Sequence, residues 1–453
     1  MKSRSRAKIS QCMIVKNEER NIERALSWGK GVVAEQIVVD TGSTDRTVEI
    51  AEQMGAKVYH FEWIDDFAAA KNFAISKAKY EWIALLDADE YFSEEDAKKV
   101  LFYVRQLQDK RYDAILSAWV HLTDEGKVVA VGTQSRVFRN AKGLRYVGRI
   151  HEYITSVDGS DFRFVDATKE LSIYHTGYGE IGHQHKVSSG RNLRIILKEL
   201  EEHPDSHRML GYLGDEYYSA NDLEKAEEAF RKSISLMPDT VETLDPIRTA
   251  MTFTKLMEIL YAHMDTTEDN FMEIYHKAIR RLPEEGDFDF YAGKYFSRHG
   301  NYQAAERHLK RALSQLEKYG TAFKSMFLSG DIRQAYEMLA TCCFNNRNLM
   351  ECINYSTVLL KADRYLMSTL FLMLTAFFLD ESSGRAEAAS ASAVAAFLGQ
   401  NLYDFSTLKD RLFVLKAAMK ANYGSMITVI RGMFSPEELL VVDQALAGEE
   451  SRE

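Results

Sequence analysis

Three apolar runs in the first ninety residues each stop abruptly on polar groups, and this pattern limits the fold more than any other feature of the chain. Ile9 to Val15 leads into Lys16-Asn17-Glu18, Glu35-Gln36-Ile37-Val38-Val39 into Asp40 and a turn at Gly42, and Trp82-Ile83-Ala84-Leu85-Leu86 into Asp87-Ala88-Asp89-Glu90. The runs have strand length, whereas 18–28, 45–54, 67–78 and 93–107 carry helical periodicity. Ser93 opens the last of these with Asp96 three residues on, a variant of the capping box. Alternating strands and helices predict an open α/β sheet, in which ligands gather beyond the C-terminal strand ends. Those ends are where this chain keeps its acids. From 112 to 175 the pattern shifts to short strands, with turns at Asp124-Glu125-Gly126, Asn140-Ala141-Lys142-Gly143 and Asp158-Gly159-Ser160.

A chain of 453 residues is too long for one ordinary core, so two or more domains are expected. The 46% hydrophobic content fits a globular protein, and a formal net charge of -10 speaks against nucleic acid or an anionic membrane as the main partner. No apolar run reaches the ~20 residues of a membrane span. Met1-Lys2-Ser3-Arg4-Ser5-Arg6 leads into a strand rather than the apolar core of a signal peptide, so the expected compartment is the cytoplasm. Cys12 lies in the first apolar run, and Cys342, Cys343 and Cys352 fall on helical pattern. These four lack metal-site spacing and read as buried free thiols.

After about residue 185 no convincing strand pattern remains. Leu210, Leu213, Gly214, Tyr217, Ala226, Phe230 and Pro238 hold the diagnostic positions of a tetratricopeptide unit, a helix pair of ~34 residues in which small residues allow close packing. Gly293, Phe296, Ala305, Leu309 and Ala312 repeat the register, and a weaker unit begins near Tyr336 with Leu339, Ala340, Cys352 and Ser356. Segments 248–280 and 365–420 are helical in period without clean signatures. An array of about three to five helical hairpins is expected, and the scarcity of proline suits it. In the acidic tail, Leu439, Leu440, Val441, Val442 and Leu446 predict one docked helix. The predicted domains are 1–180, 181–423 and 424–453.

Asp-x-Asp triplets are commonly solvated turns or helix caps, so Asp87-Ala88-Asp89 gains weight only from its context. Two carboxylates one residue apart at the end of a buried strand suit a divalent cation, Mg²⁺ or Mn²⁺, and the diphosphate it neutralises. A nucleotide sugar is the guest this chemistry points to. Taken in order, Met13-Ile14-Val15-Lys16-Asn17-Glu18, Val39-Asp40-Thr41-Gly42-Ser43-Thr44-Asp45, Asp66-Phe67-Ala68-Ala69-Ala70-Lys71-Asn72, Asp87-Ala88-Asp89, Arg136-Val137-Phe138-Arg139, His151-Glu152 and Tyr174-His175-Thr176-Gly177-Tyr178 resemble a family 2 glycosyltransferase of the GT-A fold. Within that family the chain is similar to the lipopolysaccharide-core β-glucosyltransferases and the sublancin-type peptide S-glycosyltransferases. The latter also carry tetratricopeptide-like helices after the catalytic domain. The expected fold is therefore an α/β GT-A domain, a Rossmann-like mixed sheet, followed by an all-α tetratricopeptide-like array.

The resemblance implies roles for individual residues. Asp40 meets the uracil or ribose of the donor, as an acceptor-only carboxylate can. Glu18, Lys71 and Asn72 join it on the donor side. Lys71 and Asn72 follow three alanines that let a ligand approach; relatives often have Arg in place of Lys71, and a solvated helix lysine is the competing reading. Asp66, with Asp65, reads first as a helix cap, and Asp45 as structural. The metal is expected on Asp89, on Asp87 through water, and on His175, for which a core histidine is the equal alternative. Glu152, after a short strand at Val147-Gly148-Arg149, is the candidate base for an inverting transfer, with His151 as the other candidate or as its orienting neighbour. Arg136 and Arg139 are read as facing one side of a strand, toward phosphate or acceptor or else toward solvent.

The leading expectation is an inverting, metal-dependent transferase that moves a hexose from a UDP-sugar to Cys, Ser or Thr of a peptide or protein acceptor held by the helical array. One alternative is a cell-surface or lipopolysaccharide-type glycan transferase whose array serves homodimer or complex assembly. Another is a peptide-binding adaptor with an inactive transferase domain, against which the intact Asp40, Asp87, Asp89 and Glu152 speak. A nucleotidyltransferase is disfavoured because Lys16-Asn17-Glu18 stands where a Gly-rich phosphate loop would be needed.

Overall fold

The computed structural model describes residues 8–108, 110–141, 143–160, 162–176, 190–238, 246–320, 324–384 and 388–450. The opening Met1 to Arg6, Lys142 of one predicted turn, Gly177 and Tyr178 of one motif, and the predicted boundary at 180 lie outside them. The chain divides into two compact units, Met1–Met237 and Pro238–Glu453.

In the first unit β1 (Ile9–Val15), β2 (Glu35–Asp40), β3 (Lys57–His60) and β4 (Trp82–Leu85) form a parallel half-sheet in the order β3-β2-β1-β4. Strands buried on both faces read as continuous apolar runs, and Val38, Val39, Ile83 and Leu85 are fully enclosed. The edge strand β3 has no buried residue, which is why its pattern is silent in the sequence. Helices α1 (Ile22–Ser27), α2 (Thr47–Gln53) and α3 (Phe67–Lys77) connect the strands. The first starts later than its periodicity predicts, because Asn17 adopts a left-handed φ of 57° and the Glu18 carbonyl is taken by the amides of Asn21 and Ile22. Asp66 caps α3 as expected, its carboxylate accepting the Ala69 amide at 2.8 Å.

The sheet then becomes mixed. After β5 (Glu90–Tyr91) and α4 (Glu94–Leu107), the hairpin β6 (Ala114–Leu122) and β7 (Val128–Arg139) lies beside β4, with β7 antiparallel to both β4 and β6. β8 (Leu144–Val147) and β9 (Tyr153–Ser156) make a separate ribbon. β10 (Phe164–Asp166) and β11 (Ser172–His175) return parallel to β6, and β11 also meets β5 antiparallel. The strand predicted at 147–149 ends at Val147, because Gly148 takes a φ of 89° and turns the chain.

Helices α5 (Arg191–Glu202), α6 (His207–Ser219) and α7 (Leu223–Leu236) complete this unit. Ile195, Ile196 and Met209 bury against Ile150, next to Trp63, Phe67 and Tyr212. The first tetratricopeptide hairpin, α6 with α7, therefore shares a core with the α/β layer. Its glycine has a plain physical reason: a Cβ on Gly214 would stand 2.4 Å from the Phe230 ring. Alanine in a helix is intrinsically better than glycine by ~1 kcal/mol. Gly214→Ala is nevertheless expected to destabilise this unit, by about 1–3 kcal/mol of overpacking. Denaturant unfolding checks it, and an unchanged midpoint would mean that the Phe230 ring gives way at no cost.

Among the described residues of the second unit every regular element is a helix: α8 (Pro246–Ala262), α9 (Glu268–Arg281), α10 (Gly286–Arg298), α11 (Tyr302–Tyr319), α12 (Met326–Gly330), α13 (Ile332–Asn345), α14 (Leu349–Ala362), α15 (Met367–Ser382), α16 (Ala391–Asn401), α17 (Leu408–Lys420), α18 (Gly424–Arg431) and α19 (Pro436–Glu450). The signature residues Phe296, Ala305, Leu309, Ala312, Leu339, Ala340, Cys352 and Ser356 are all buried. All four cysteines of the chain are buried free thiols, as expected. The tail helix α19 docks by one edge, with Val442 enclosed and Leu440 and Val441 in solvent. No helix among the described residues is long and apolar enough to cross a membrane.

A buried acid pair ties α10 to α12. The Asp287 carboxylate accepts the amides of Phe327 and Leu328 at 3.1 and 2.8 Å, and Glu285 accepts that of Ser325 at 2.6 Å. Burial, and then the neighbouring Glu285 charge, push the Asp287 carboxyl up to about 7. An unfolded aspartate titrates near ~3.9, so between the two values the folded chain binds the extra proton. Stability from this group is therefore complete below the unfolded value and lost as pH rises through about 7. Thermal unfolding followed from acidic to basic pH should show a decline that Asp287→Asn makes shallower; an identical slope in the variant would assign the decline to other groups.

Candidate active site

The parallel strand ends bring the acids together. β4 stops at Leu85, and Asp87 to Glu90 close a tight turn in which the Glu90 amide donates to the Asp87 carbonyl at 3.0 Å. The Glu90 carboxylate in turn accepts the Asp87 amide at 3.0 Å. Arg136 reaches in from β7, with Nη2 2.7 Å from Asp87 Oδ2 and 2.8 Å from Glu90 Oε1. Lys71 arrives from α3, its Nζ 3.0 Å from Asp87 Oδ1 and 2.7 Å from Glu152 Oε1. Glu152, Lys71, Asp87, Arg136 and Glu90 thus form one line of alternating charge.

Lys71 is only 2% exposed, and its ammonium lies 5.3 Å from the centre of the Tyr146 ring. Burial alone would lower its pKa, but the Asp87 and Glu152 charges outweigh burial and hold the ammonium protonated. Burial would raise Asp87, and Arg136 and then Lys71 overcome it, keeping this carboxyl well below the usual range. At Glu90 the balance goes the other way. Its burial exceeds the pull of Arg136 and moves the group upward.

Asp89 is built into a different set. Its Oδ2 lies 3.2 Å from His175 Nε2, and its carbonyl accepts the Thr176 amide at 3.1 Å. Strand register places His175 opposite Glu90 on one side and opposite His121 on the other. The two imidazoles meet Nδ1 to Nδ1 at 3.0 Å, with the Trp119 ring 4.1 Å from that of His121. Burial, then the neighbouring His175, lowers His121 to about 4. A carboxylate oxygen and an imidazole nitrogen 3.2 Å apart are spaced much like adjacent ligands of a six-coordinate divalent ion, about 3.0 Å for bonds of ~2.1 Å. Asp89 and His175 therefore fit a divalent cation. Asp87 fits one less directly, since Lys71 and Arg136 each take one of its oxygens.

The remaining predicted residues fall in several places. Asp40, at the end of β2, accepts the amides of Gly42 and Ser43 at 3.2 and 3.0 Å and faces His60 Nδ1 at 3.4 Å. Burial pushes it up, but these hydrogen bonds, led by Ser43, hold it below its ordinary value. Asp45 is structural, accepting the Thr47 amide and hydroxyl. The Glu18 carboxylate accepts from Asn21 at 2.9 Å. Asn72 is turned away from the charged line: both ends of its amide bind the Tyr146 main chain, at 2.9 and 3.0 Å, so it holds the β8 ribbon. His151 stands apart from Glu152, with its ring stacked on Tyr212 of α6 at 3.5 Å.

Arg136 and Arg139 do not share a side as the sequence reading has them. Three residues apart on a period of two, they point to opposite faces. Arg136 enters the site, while Arg139 donates to the carbonyls of Leu107, Gln108 and Lys110. Glu90 and His121 are the site residues that sequence reasoning passes over. Period-two alternation does set His121 on the same strand face as Trp119, which is the one signal that could have found it.

A mixed sheet whose parallel half ends on Asp40 and on an Asp-x-Asp turn defines the GT-A class of fold. Residues 10–163 match the family model described as Glycosyl transferase family 2. A TPR repeat-containing protein of Synechococcus elongatus is 32% identical over 236 residues, covering 50% of this chain and 57% of that protein. The SPbeta prophage-derived glycosyltransferase SunS of Bacillus subtilis is 29% identical over 226 residues, 49% of this chain and 52% of that protein. The chain thus spans little more than half the length of these curated relatives. Among solved structures, S. aureus TarS 1-349 is similar with a TM-score of 0.35 and 16% identity, over 65% of this chain and 92% of that one.

Proposed function

We propose that the chain is an inverting, metal-dependent glycosyltransferase that moves a hexose from a UDP-sugar to a Cys, Ser or Thr side chain of a peptide or protein acceptor. The observation that carries this reading is the single buried ammonium of Lys71 touching both Glu152 and Asp87, at 2.7 and 3.0 Å. On this reading the candidate base Glu152 and the donor-side acid Asp87 share one cation. Glu152, ion-paired with Lys71, takes the proton of the acceptor nucleophile as that nucleophile attacks the anomeric carbon. A thiol acceptor, with a free pKa of ~8.5, makes the smaller demand on it. Asp40 receives the base or ribose of the donor.

Asp89 and His175 would hold the divalent ion, and a mixed carboxylate and imidazole pair suits Mn²⁺ as well as Mg²⁺. Bound there, the ion would supply positive charge to the departing diphosphate. Acceptor choice belongs to the helical hairpins, whose kind of surface holds extended or helical peptides. Similarity to a relative named glycosyltransferase SunS supports the transferase assignment. Release of nucleoside diphosphate from a panel of UDP- and GDP-sugars, with Mg²⁺ or Mn²⁺ and then with chelator, tests the reading. One donor should be turned over only with metal. Silence across the panel, without donor-induced thermal stabilisation, would overturn it in favour of a peptide-binding adaptor.

A further inference from the structure

We infer that His121 is a positioning residue for the metal site: it fixes the ring orientation and tautomer of His175 so that Nε2 presents its lone pair beside Asp89. The inference rests on the metal reading above. The two histidines are register partners on parallel strands, so their approach is set by the backbone rather than by a chance rotamer. Their Nδ1 atoms are 3.0 Å apart, hydrogen-bond distance. Such a contact holds only when one nitrogen carries a proton and the other offers a lone pair, so the state of one ring dictates that of its neighbour.

A neutral imidazole has one N–H. If His175 keeps its proton on Nε2, that atom donates to Asp89, 3.2 Å away, and is lost as a ligand. Asp89 can only accept, so with no cation between them Nε2–H donates to it; for a cation to bind, His175 would carry its proton on Nδ1, where His121 accepts it, and Nε2 would turn its lone pair to the ion. Both histidines are at least nine-tenths buried, at 5% and 9% exposure, so water competes poorly for the shared proton. Trp119 restrains the rings further, its centre 4.1 Å from that of His121 and 5.3 Å from that of His175. Metal-ligating histidines generally take their orientation from such an outer partner, and losing one typically costs ~10–100-fold in metal affinity.

The test is Mn²⁺ affinity, read by electron paramagnetic resonance on the full chain without donor, for wild type, His121→Phe and His121→Gln. The Phe variant should bind Mn²⁺ about 10–100-fold more weakly. The Gln variant, whose amide oxygen can accept from Nδ1–H, should recover most of the loss; a purely packing role would favour Phe over Gln. Melting temperatures measured without metal report folding, and His121→Leu carries the same comparison if the Phe variant does not fold. A folded Phe or Leu variant that binds Mn²⁺ like wild type would overturn the positioning role and leave the metal site standing. A wild type that binds no Mn²⁺ would overturn the metal site and this inference with it.

Discussion

Asp89→Asn is expected to reduce sugar transfer by about 10³-fold or more while shifting stability by no more than about 1 kcal/mol. The two effects separate because of where Asp89 sits. Its side chain is partly exposed in a turn beyond the sheet, next to His175. The substitution preserves shape and removes the charge that would hold a divalent ion, so the loss should fall on the step in which the diphosphate departs. Initial rates with the competent donor, beside a melting curve, check both halves. Full activity in this variant would remove the metal from the mechanism.

Lys71→Met should damage folding and turnover together. The ammonium compensates Asp87 and Glu152 in a site where it is almost wholly enclosed, and Asp87 keeps Arg136 when Lys71 is lost. Glu152, with a side chain only 12% exposed, keeps no cation within salt-bridge distance among the described residues. Removing one member of a buried ion pair costs about 3–5 kcal/mol. For a unit of this size that is a melting temperature lower by roughly 10 °C. A second change, Glu152→Gln, takes away the stranded charge, so the double variant should regain most of the stability and none of the activity. If Lys71→Met melted like wild type, the lysine would not be holding the pair together; if the double variant turned over donor and acceptor normally, Glu152 would not be the base.

Much of the first unit was legible because strand ends and helix starts are local events. The run Ile9–Val15 matches β1 residue for residue, and Asp66 caps α3 through its own side chain. The tetratricopeptide positions were legible for a related reason. Gly214 and Gly293 face Phe230 and Leu309 at distances no Cβ would tolerate, so the backbone approach writes itself into the sequence as glycine. Side-chain direction was less legible. Lys71 and Asn72 are adjacent on α3, yet one faces the charged line and the other clamps Tyr146, because successive helical positions differ by about 100°. His151 and Glu152 also part, one onto Tyr212 and the other onto Lys71, but in a non-helical bend where His151 takes a left-handed φ of 52°.

By itself, then, the sequence determined the buried parallel strands β1, β2 and β4 and most of the helices, that the acids gather at strand ends, and that a helical array follows, while the exposed edge strand β3 left no pattern. Each of these rests on interactions within a few residues or on a repeated spacing. Only the tertiary structure decided which charge meets which. Arg136 finds Asp87 across 49 positions, and His175 finds Asp89 across 86. The order β4-β7-β6-β11-β5 makes those meetings, since strands distant in the chain become neighbours only when the mixed sheet closes around its apolar faces.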